Sequence, residues 1–157
     1  MTQISNTPIS DITLGQTAIY SKTCTLEDIQ LFAKVSGDVN PVHLDDEFAK
    51  TTPFGAVIAH GMYTGALVSA ALAIELPGPG TIYMGQELKF KAPVFIGDTI
   101  TVNLSVSHIR EEKAIVTLDC TCTNQDGKVV AAGTATVMAP KKPMTVTAPE
   151  LPTVTLS

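Results

Sequence analysis

One stretch of this sequence is apolar on nearly every side. Residues 61–76 read GMYTGALVSAALAIEL, with few polar side chains among them. A helix that is apolar all round belongs in the middle of a protein or in a membrane. A spanning helix needs about 20 apolar residues, and His60 and Pro77 close this run too early. The stretch therefore predicts a core helix that the rest of the chain must enclose.

After this run the spacing of apolar residues changes to alternation. Alternating segments occur at 81–91, 98–109, 114–124 and 128–138. Alternation over such lengths predicts strands with one apolar face. The connections between them hold glycine, proline and charged residues and are too short for crossovers between parallel strands. We therefore predict an antiparallel meander of four strands.

The apolar face of such a sheet has to be covered, and residues 61–76 are the segment apolar enough to cover it. The simplest closed arrangement is a curved antiparallel sheet wrapped around one long buried helix, which is the α+β hot-dog fold. Two short helices are predicted ahead of it. The first begins after the N-cap Thr25 and stops at Gly37, and the second begins near Asp45.

The ends of the chain differ from this central part. Residues 1–15 are polar and rich in turn residues, which favours a loose strand or arm. Residues 140–157 hold four prolines and show no helical spacing, which is typical of an extended tail or linker. We therefore expect one domain at 1–139, followed by a proline-rich tail.

Composition excludes several kinds of partner. The net charge is −5 with no basic block, and tryptophan is absent, which argues against nucleic acid and anionic membranes as partners. No secretory signal is visible in the first residues. Cys120 and Cys122 should share one strand face, where neighbours rarely pair, and C-x-C without histidines is poor evidence for a metal. We expect buried thiols and a cytoplasmic location.

Two residues in the stretch SGDVNPVH, at 36–43, are suited to proton transfer. If this tight loop directs Asp38 and His43 toward one point, they could add water across an activated double bond. One group takes a proton from water and the other delivers one to the α-carbon. Aspartate and asparagine in loops also commonly bond their own backbone. The residue types alone leave both interpretations open.

The start of the apolar helix offers hydrogen-bond donors for a developing negative charge. A thioester carbonyl becomes an enolate during such a reaction, and its charge requires preorganised donors. The first amides of a helix have no partner within it and lie at its positive end. Gly61 would let a carbonyl approach its N–H, or it simply eases the turn into the helix. His60 beside it is expected to have a structural role.

Three separated blocks carry a resemblance to a known family. The run FAKVSGDVNPVHLD, the later IAHGM and the stretch PGPGTIYMGQELKFKAPVFIGD resemble the MaoC-like (R)-specific enoyl-CoA hydratases. The similarity extends over residues 10–140. It implies a homodimeric hot-dog enzyme that hydrates trans-2-enoyl-CoA reversibly to (R)-3-hydroxyacyl-CoA. It implies no metal or redox cofactor, and coenzyme A only as part of the substrate.

The resemblance also implies roles for particular residues. The family's catalytic aspartate and histidine correspond to Asp38 and His43, and its asparagine corresponds to Asn40. Its oxyanion amide corresponds to Gly61, and a serine that supports the active-site hydrogen bonds corresponds to Ser69. Which member of the acid/base pair is the base stays open, with Asp38 favoured as donor to the α-carbon.

Several alternatives remain at this point. A finer match of ELPGPGTIY and CTCTNQDGKVV resembles the hydratase module of a bifunctional enoyl-CoA hydratase/phosphate acetyltransferase, which implies a fused phosphate acyltransferase module in the parent protein. The rival functions are a hot-dog acyl-CoA thioesterase, a dehydratase acting on 3-hydroxyacyl-CoA or acyl-carrier protein, and a non-catalytic acyl-CoA-binding subunit. Glu75 lies at the wrong end of the helix for a thioesterase acid. Lys89 and Lys91 could reach coenzyme A phosphates or simply solubilise the sheet.

Overall fold

A computed structural model describes residues 1–157. The helices are α1 (Leu26–Ser36), α2 (Pro41–Leu44), α3 (Asp46–Lys50) and α4 (Gly61–Ile74). The strands are β1 (Gln3–Ser5), β2 (Thr17–Thr23), β3 (Ile82–Phe90), β4 (Thr99–Arg110), β5 (Ile115–Thr123), β6 (Val129–Met138) and β7 (Thr145–Thr147). No helix is long and apolar enough to cross a membrane.

The main sheet has five antiparallel strands in the order β2-β4-β5-β6-β3. It wraps around α4, which confirms the predicted hot-dog fold. The predicted four-strand meander is wrong at one strand, because β3 pairs with β6 at the far edge and not with β4. The connection at 91–98 makes this possible, since eight extended residues can span about 26 Å. Strands three positions apart in a sheet are separated by only about 14 Å.

Local sequence signals account for the helices. Thr25 caps α1: its hydroxyl accepts a hydrogen bond from the Asp28 N–H, and the Asp28 carboxylate accepts one from the Thr25 N–H. The helix ends at Gly37, which has the left-handed conformation that favours glycine at this position. Asp45 caps α3 through the N–H of Phe48. The predicted starts of both helices and the predicted end of α1 are confirmed.

The core lies between α4 and the inner face of the sheet. The alternating side chains of β4 and β5 that point inward are fully buried, as the alternation predicted: Ile100, Val102, Leu104, Val106, Val116, Leu118, Cys120 and Cys122. They pack in one cluster with Leu67, Val68, Ala71 and Leu72 of α4. One stripe of α4 stays exposed in the single chain, and it includes Met62, Ala66 and Ala73.

The two ends of the chain meet on the surface. Strand β1 pairs with β7 over Gln3–Ser5 and Thr145–Thr147, and Asn6 adds hydrogen bonds to the backbone of Lys142 and Met144. Part of the segment predicted as a tail therefore forms a strand. Residues 148–157 have no regular secondary structure. The domain boundary after residue 139 stays a prediction.

All three cysteines are free and buried. Burial raises the pKa of Cys24 and Cys120 to about 11 and that of Cys122 to about 12. The thiolate is the reactive form of cysteine, so these side chains serve as small apolar groups in the core.

Gly133 lies on β6 where the backbone of β3 leaves no room for a side chain. A Cβ built on Gly133 would lie 1.8 Å from the carbonyl oxygen of Glu87, a backbone atom that cannot move aside cheaply. We expect Gly133→Ala to lower the free energy of unfolding by on the order of 3 kcal/mol, because the two strands must separate. Gly85→Ala is the matched control on β3, since a Cβ there meets nothing within 4 Å. Its expected change is within about 0.5 kcal/mol. Urea unfolding of both variants measures the difference, and equal stabilities would contradict this account.

The raised thiol pKa values predict slow chemistry with thiol reagents. At pH 8 a thiol of pKa about 11 is almost entirely protonated. We expect native protein to react negligibly with Ellman's reagent over minutes, and protein in guanidinium chloride to release three equivalents rapidly. A fast-reacting thiol in the native protein would show that one of the three is accessible as a thiolate.

Candidate active site

A cavity of about 360 Å³ opens beside the N-terminus of α4. Its wall includes His43, His60 and Gly61, together with the rings of Phe54 and Phe90. The chain converges there from α2, from the start of α4 and from the end of β3. Two of the residues predicted for the site therefore line one cavity, together with a second histidine.

His43 lies in α2, a helix of one turn that the sequence analysis did not predict. Asn40 caps this helix by accepting a hydrogen bond from the Val42 N–H at 3.3 Å, and Pro41 occupies its first turn. The His43 ring is buried, and its Nδ1 lies 2.7 Å from the carbonyl oxygen of Ile58. A carbonyl oxygen can only accept, so Nδ1 carries the hydrogen in the neutral ring. Nε2 is then left with a lone pair, which suits it to take a proton.

The two carboxylate oxygens of Asp38 have different contacts. Oδ1 accepts a hydrogen bond from the Asn40 N–H at 3.0 Å, which is the ordinary loop contact anticipated for this residue type. Oδ2 faces Nε2 of His43 at 3.9 Å, and the side chain is about half exposed, at 49%. The loop contact of Oδ1 therefore does not prevent Oδ2 from facing His43. The carboxylate lies beside His43, not on the cavity wall itself.

Two other predicted site residues lie elsewhere. Asn40 acts on α2 through its cap, and its side chain is not part of the cavity wall. Ser69 lies on α4 in a separate groove that it shares with Met62, Gly65, Tyr83 and others. In the single chain it is not brought to the cavity that holds His43.

Gly61 lies at the first position of α4, and its amide has no backbone or side-chain acceptor in the structure. The Phe90 ring packs against it, with ring carbons 3.2 Å from the place that a Cβ would occupy. A side chain at this position would therefore require the Phe90 ring to move by a few tenths of an ångström. The amide stays available at the positive end of the helix, where negative charge is stabilised.

His60 is the functional candidate that sequence reasoning assigned only a structural role. Its ring is 3% exposed and stacks on His43, with the ring centroids 3.9 Å apart and an angle of 26° between the planes. Its Nε2 lies 3.0 Å from the carbonyl oxygen of Asp38. The only sequence signal was a histidine directly before a helix start, and this signal does not distinguish a packing residue from one in contact with Asp38 and His43.

Asp38, His43 and His60 also form the one cluster whose ligand atoms lie within metal-binding range, all within 4.8 Å of one another. The donor set fits a metal poorly. A metal lies in the plane of each ligating ring, along its nitrogen lone pair, and lone pairs of stacked rings run side by side instead of converging. One nitrogen of each ring also already faces a backbone carbonyl. The arrangement suits proton transfer better than metal binding.

A second group of titratable side chains lies on the other side of α4. Tyr63 contacts Asp28 at 3.5 Å, and Asp28 forms an ion pair with Lys22 at 3.1 Å. Burial raises the pKa of Tyr63. Burial alone would raise the pKa of Asp28, but hydrogen bonds from Thr25 and Lys22 lower it below its ordinary value. This group is not part of the cavity wall, and we assign it to the packing of α1 against α4.

The sequence of this chain is similar to a known domain family and to named enzymes. A family profile described as "MaoC like domain" matches residues 12–126. An (R)-specific enoyl-CoA hydratase of Rhodospirillum rubrum is 51% identical over 132 residues, covering 84% of this chain and 91% of that protein. A 3-hydroxybutyryl-CoA dehydratase of Methylorubrum extorquens is 46% identical, covering 84% of this chain and 83% of that protein.

Two solved structures of hydratases share the fold of this chain. The unliganded R-hydratase PhaJ1 from Pseudomonas aeruginosa superposes with a TM-score of 0.95 at 47% identity, covering 99% of this chain and 100% of that chain. The (R)-hydratase of Aeromonas caviae involved in PHA biosynthesis gives a TM-score of 0.79 at 43% identity, covering 82% of this chain and 98% of that chain.

Proposed function

Because this chain belongs to the MaoC-like (R)-specific enoyl-CoA hydratase family, we propose that it is a hydro-lyase. It adds water reversibly to trans-2-enoyl-CoA and forms (R)-3-hydroxyacyl-CoA. One observation carries the proposal: the free Nε2 of His43 and the Oδ2 of Asp38 face each other at 3.9 Å beside a cavity that His43 and Gly61 line. A gap of this size is too long for a direct hydrogen bond and leaves room at its edge for a shared water.

The proposed reaction begins with that water. Its oxygen attacks the β-carbon of the enoyl thioester while one of its protons passes to Nε2 of His43. Asp38 accepts a hydrogen bond from the other O–H through Oδ2 and so orients the oxygen. The tautomer set by Ile58 supports His43 as the base. The accepted proton then returns through Asp38 to the α-carbon, so that water is added across the double bond with no net change in the enzyme's protonation.

Charge develops on the thioester oxygen during the attack. We propose that the Gly61 N–H donates a hydrogen bond to this oxygen as it becomes an enolate. The amide has no other acceptor, and it lies at the positive end of α4. A donor that is already in place needs no reorganisation when the charge appears. It therefore lowers the free energy of the transition state effectively.

The walls of the cavity support an acyl-CoA as the substrate. Phe54 and Phe90 give it apolar surface for an acyl group. Lys91 lines both this cavity and a neighbouring surface groove that also contains Lys89. We propose that these two lysines contact the phosphates of coenzyme A. No further cofactor is included in the proposal.

We propose that the active form is a homodimer built on β3. This strand is one edge of the sheet, so its outer backbone groups lack a partner. Ile82, Tyr83 and Met84 on β3 are exposed, and Tyr83 and Met84 line a groove with Met62 and Ala66 of α4. A second copy covering this face would complete the enclosure of α4 and would also cover Ser69. We therefore propose that Ser69 takes on its supporting role only in the dimer.

We also propose a location in the cell and a fusion partner in the parent protein. A cytoplasmic location is supported by three free, buried thiols, which fit a reducing compartment. Fusion to a phosphate acyltransferase module in the parent protein stays a prediction from the resemblance. Hydration and dehydration are one equilibrium, so the same site also serves a dehydratase running the reaction in reverse.

The acid/base assignment predicts large losses on substitution. We expect Asp38→Asn and His43→Ala each to lower kcat for crotonyl-CoA hydration by about 10²–10⁴-fold, since each removes a proton-transfer group. Loss of absorbance of the conjugated double bond measures the rate, and chiral analysis of the product tests for the (R) configuration. Asp46→Asn and His108→Ala are matched controls at exposed positions outside the cavity. Their rates should stay within about twofold of the wild type.

Different outcomes would refute the assignment in different ways. An (S) product, or release of free coenzyme A without hydration, would exclude the proposed reaction. The second result would favour the thioesterase. Near-full turnover by folded Asp38→Asn or His43→Ala protein would exclude the acid/base pair while leaving the reaction in place.

The proposed dimer face predicts an asymmetry between the two edges of the sheet. Ile82 on β3 is 58% exposed and Ile19 on β2 is 60% exposed, so a charge at either position is equally tolerated by the single chain. We expect Ile82→Glu to give monomers and Ile19→Glu to leave dimers, as measured by light scattering with size exclusion at micromolar concentration. Dimeric Ile82→Glu protein, or a monomeric wild type, would place the contact elsewhere or remove it.

A further inference from the structure

His60 occupies the N-cap position of α4, but its side chain does not cap the helix. The residues most common at N-cap positions are serine, threonine, aspartate and asparagine, whose side-chain oxygens accept hydrogen bonds from the first amides of the helix. Here the imidazole turns away from those amides, toward Asp38 and His43. The first amide of the helix, on Gly61, is thereby left free for a ligand.

The hydrogen bond from His60 reaches across 22 residues to the backbone of Asp38. The carbonyl oxygen of Asp38 can only accept, so Nε2 of His60 carries the hydrogen. The other hydrogen bonds of Asp38 stay within its own loop: its N–H donates to Ser36 Oγ, and its Oδ1 accepts from the Asn40 N–H. The contact with His60 is therefore the one hydrogen bond that fixes Asp38 relative to α4 and the oxyanion amide.

The ring of His60 is also held from both sides. It lies between the ring of His43, at 3.9 Å, and the ring of Phe32, at 4.9 Å between centroids. The His43 ring is attached to Ile58 through a single hydrogen bond at Nδ1, which still permits rotation about that contact. Stacking on His60 restricts this rotation. His60 thus contacts both members of the acid/base pair, one through its backbone and the other through its ring.

The remaining nitrogen of His60 is unusual. With the hydrogen on Nε2, Nδ1 is an acceptor, and it is buried without any hydrogen-bond partner. A buried polar atom without a partner destabilises a fold, and such atoms are rare in native structures. A hydrocarbon ring would fill the same space without this penalty. Packing alone therefore does not explain a histidine at this position.

We propose that His60 is a positioning residue of the hydratase reaction, acting through its Nε2–H bond to the Asp38 carbonyl. This bond holds the Asp38 loop at the distance from His43 and Gly61 that the shared water requires. The proposal rests on the proposed hydratase function. The effect is on the geometry of the reacting groups, and misplacement by about 1 Å can cost 10²-fold in rate.

Two substitutions separate the hydrogen bond from the ring. His60→Phe keeps a ring between His43 and Phe32 but has no donor, whereas His60→Gln keeps an N–H donor of similar reach without the ring. We expect His60→Phe to lower kcat for crotonyl-CoA about 10–100-fold, with KM within about threefold and Tm unchanged or higher. We expect His60→Gln to retain at least about tenfold more kcat than His60→Phe, despite a lower Tm.

The opposite movement of kcat and Tm distinguishes positioning from packing. If His60 only packs, His60→Phe should keep kcat near the wild-type value, or lose kcat only together with Tm, and either result would overturn the proposal. Equal kcat in the Phe and Gln variants would overturn it as well, because the donor would then be irrelevant. If His60→Phe does not fold, His60→Met replaces it as the donor-free partner of similar length to His60→Gln.

A measurement on the resting protein keeps this test separate from the hydratase assignment. Nitrogen-15 spectra recorded at alkaline pH should show the tautomer with the hydrogen on Nε2 for His60 and the tautomer with the hydrogen on Nδ1 for His43. The reverse tautomer of His60 would overturn the proposal whatever the activity. Wild-type protein without hydration activity would instead refute the hydratase function, whereas an active wild type with an equally active His60→Phe variant would refute only the role of His60.

Discussion

The enclosure of α4 is the constraint on which the rest of the molecule depends. This helix has no polar face, so the sheet must curve around it, and the inward side chains of β4 and β5 meet it in one core. The helix ends are the exception, because the first amides of any helix need partners outside it. Covering them with the apolar face of the sheet would bury unpaired N–H groups. The fold therefore leaves an opening beside Gly61, and the cavity with His43 lies there.

The same constraint joins stability to function in a second way. One stripe of α4, with Met62 and Ala66, stays exposed next to the free edge of β3. Monomeric proteins rarely leave large contiguous apolar surface open to water. The proposed homodimer would cover this surface with a second copy of the chain. In the proposed dimer, the helix that carries the proposed oxyanion amide would also supply contact surface for the second copy.

The sequence determined the local elements well and the long-range pairing less well. The bounds of β4, β5 and β6 and the caps of α1 and α3 depend on neighbours within a few residues, so alternation and capping signals located them. The position of β3 beside β6 depends on how the sheet closes, which no local pattern specifies. Strand β2 was missed because its partly buried positions hold Ala18, Tyr20 and Lys22 instead of a row of aliphatic side chains. Helix α2 was missed because it is a single turn held by Asn40. The pair Asp38 and His43 was located from residue chemistry and resemblance, whereas His60 was not, because its role depends on contacts across 22 residues.

The two histidines are oriented by backbone carbonyls and not by the carboxylate. His43 donates from Nδ1 to Ile58, and His60 donates from Nε2 to Asp38, so the neutral rings hold opposite tautomers. In a serine-protease triad the aspartate itself holds the histidine tautomer. Here Ile58 fulfils that task, and Oδ2 of Asp38 is left 3.9 Å from Nε2, free to contact a water or a substrate proton. The consequence is that the geometry of the pair is set by the loop backbone. In the proposed mechanism, precision at the reacting atoms then depends on how firmly that loop is fixed to α4, and the contact from His60 is the one hydrogen bond that fixes it.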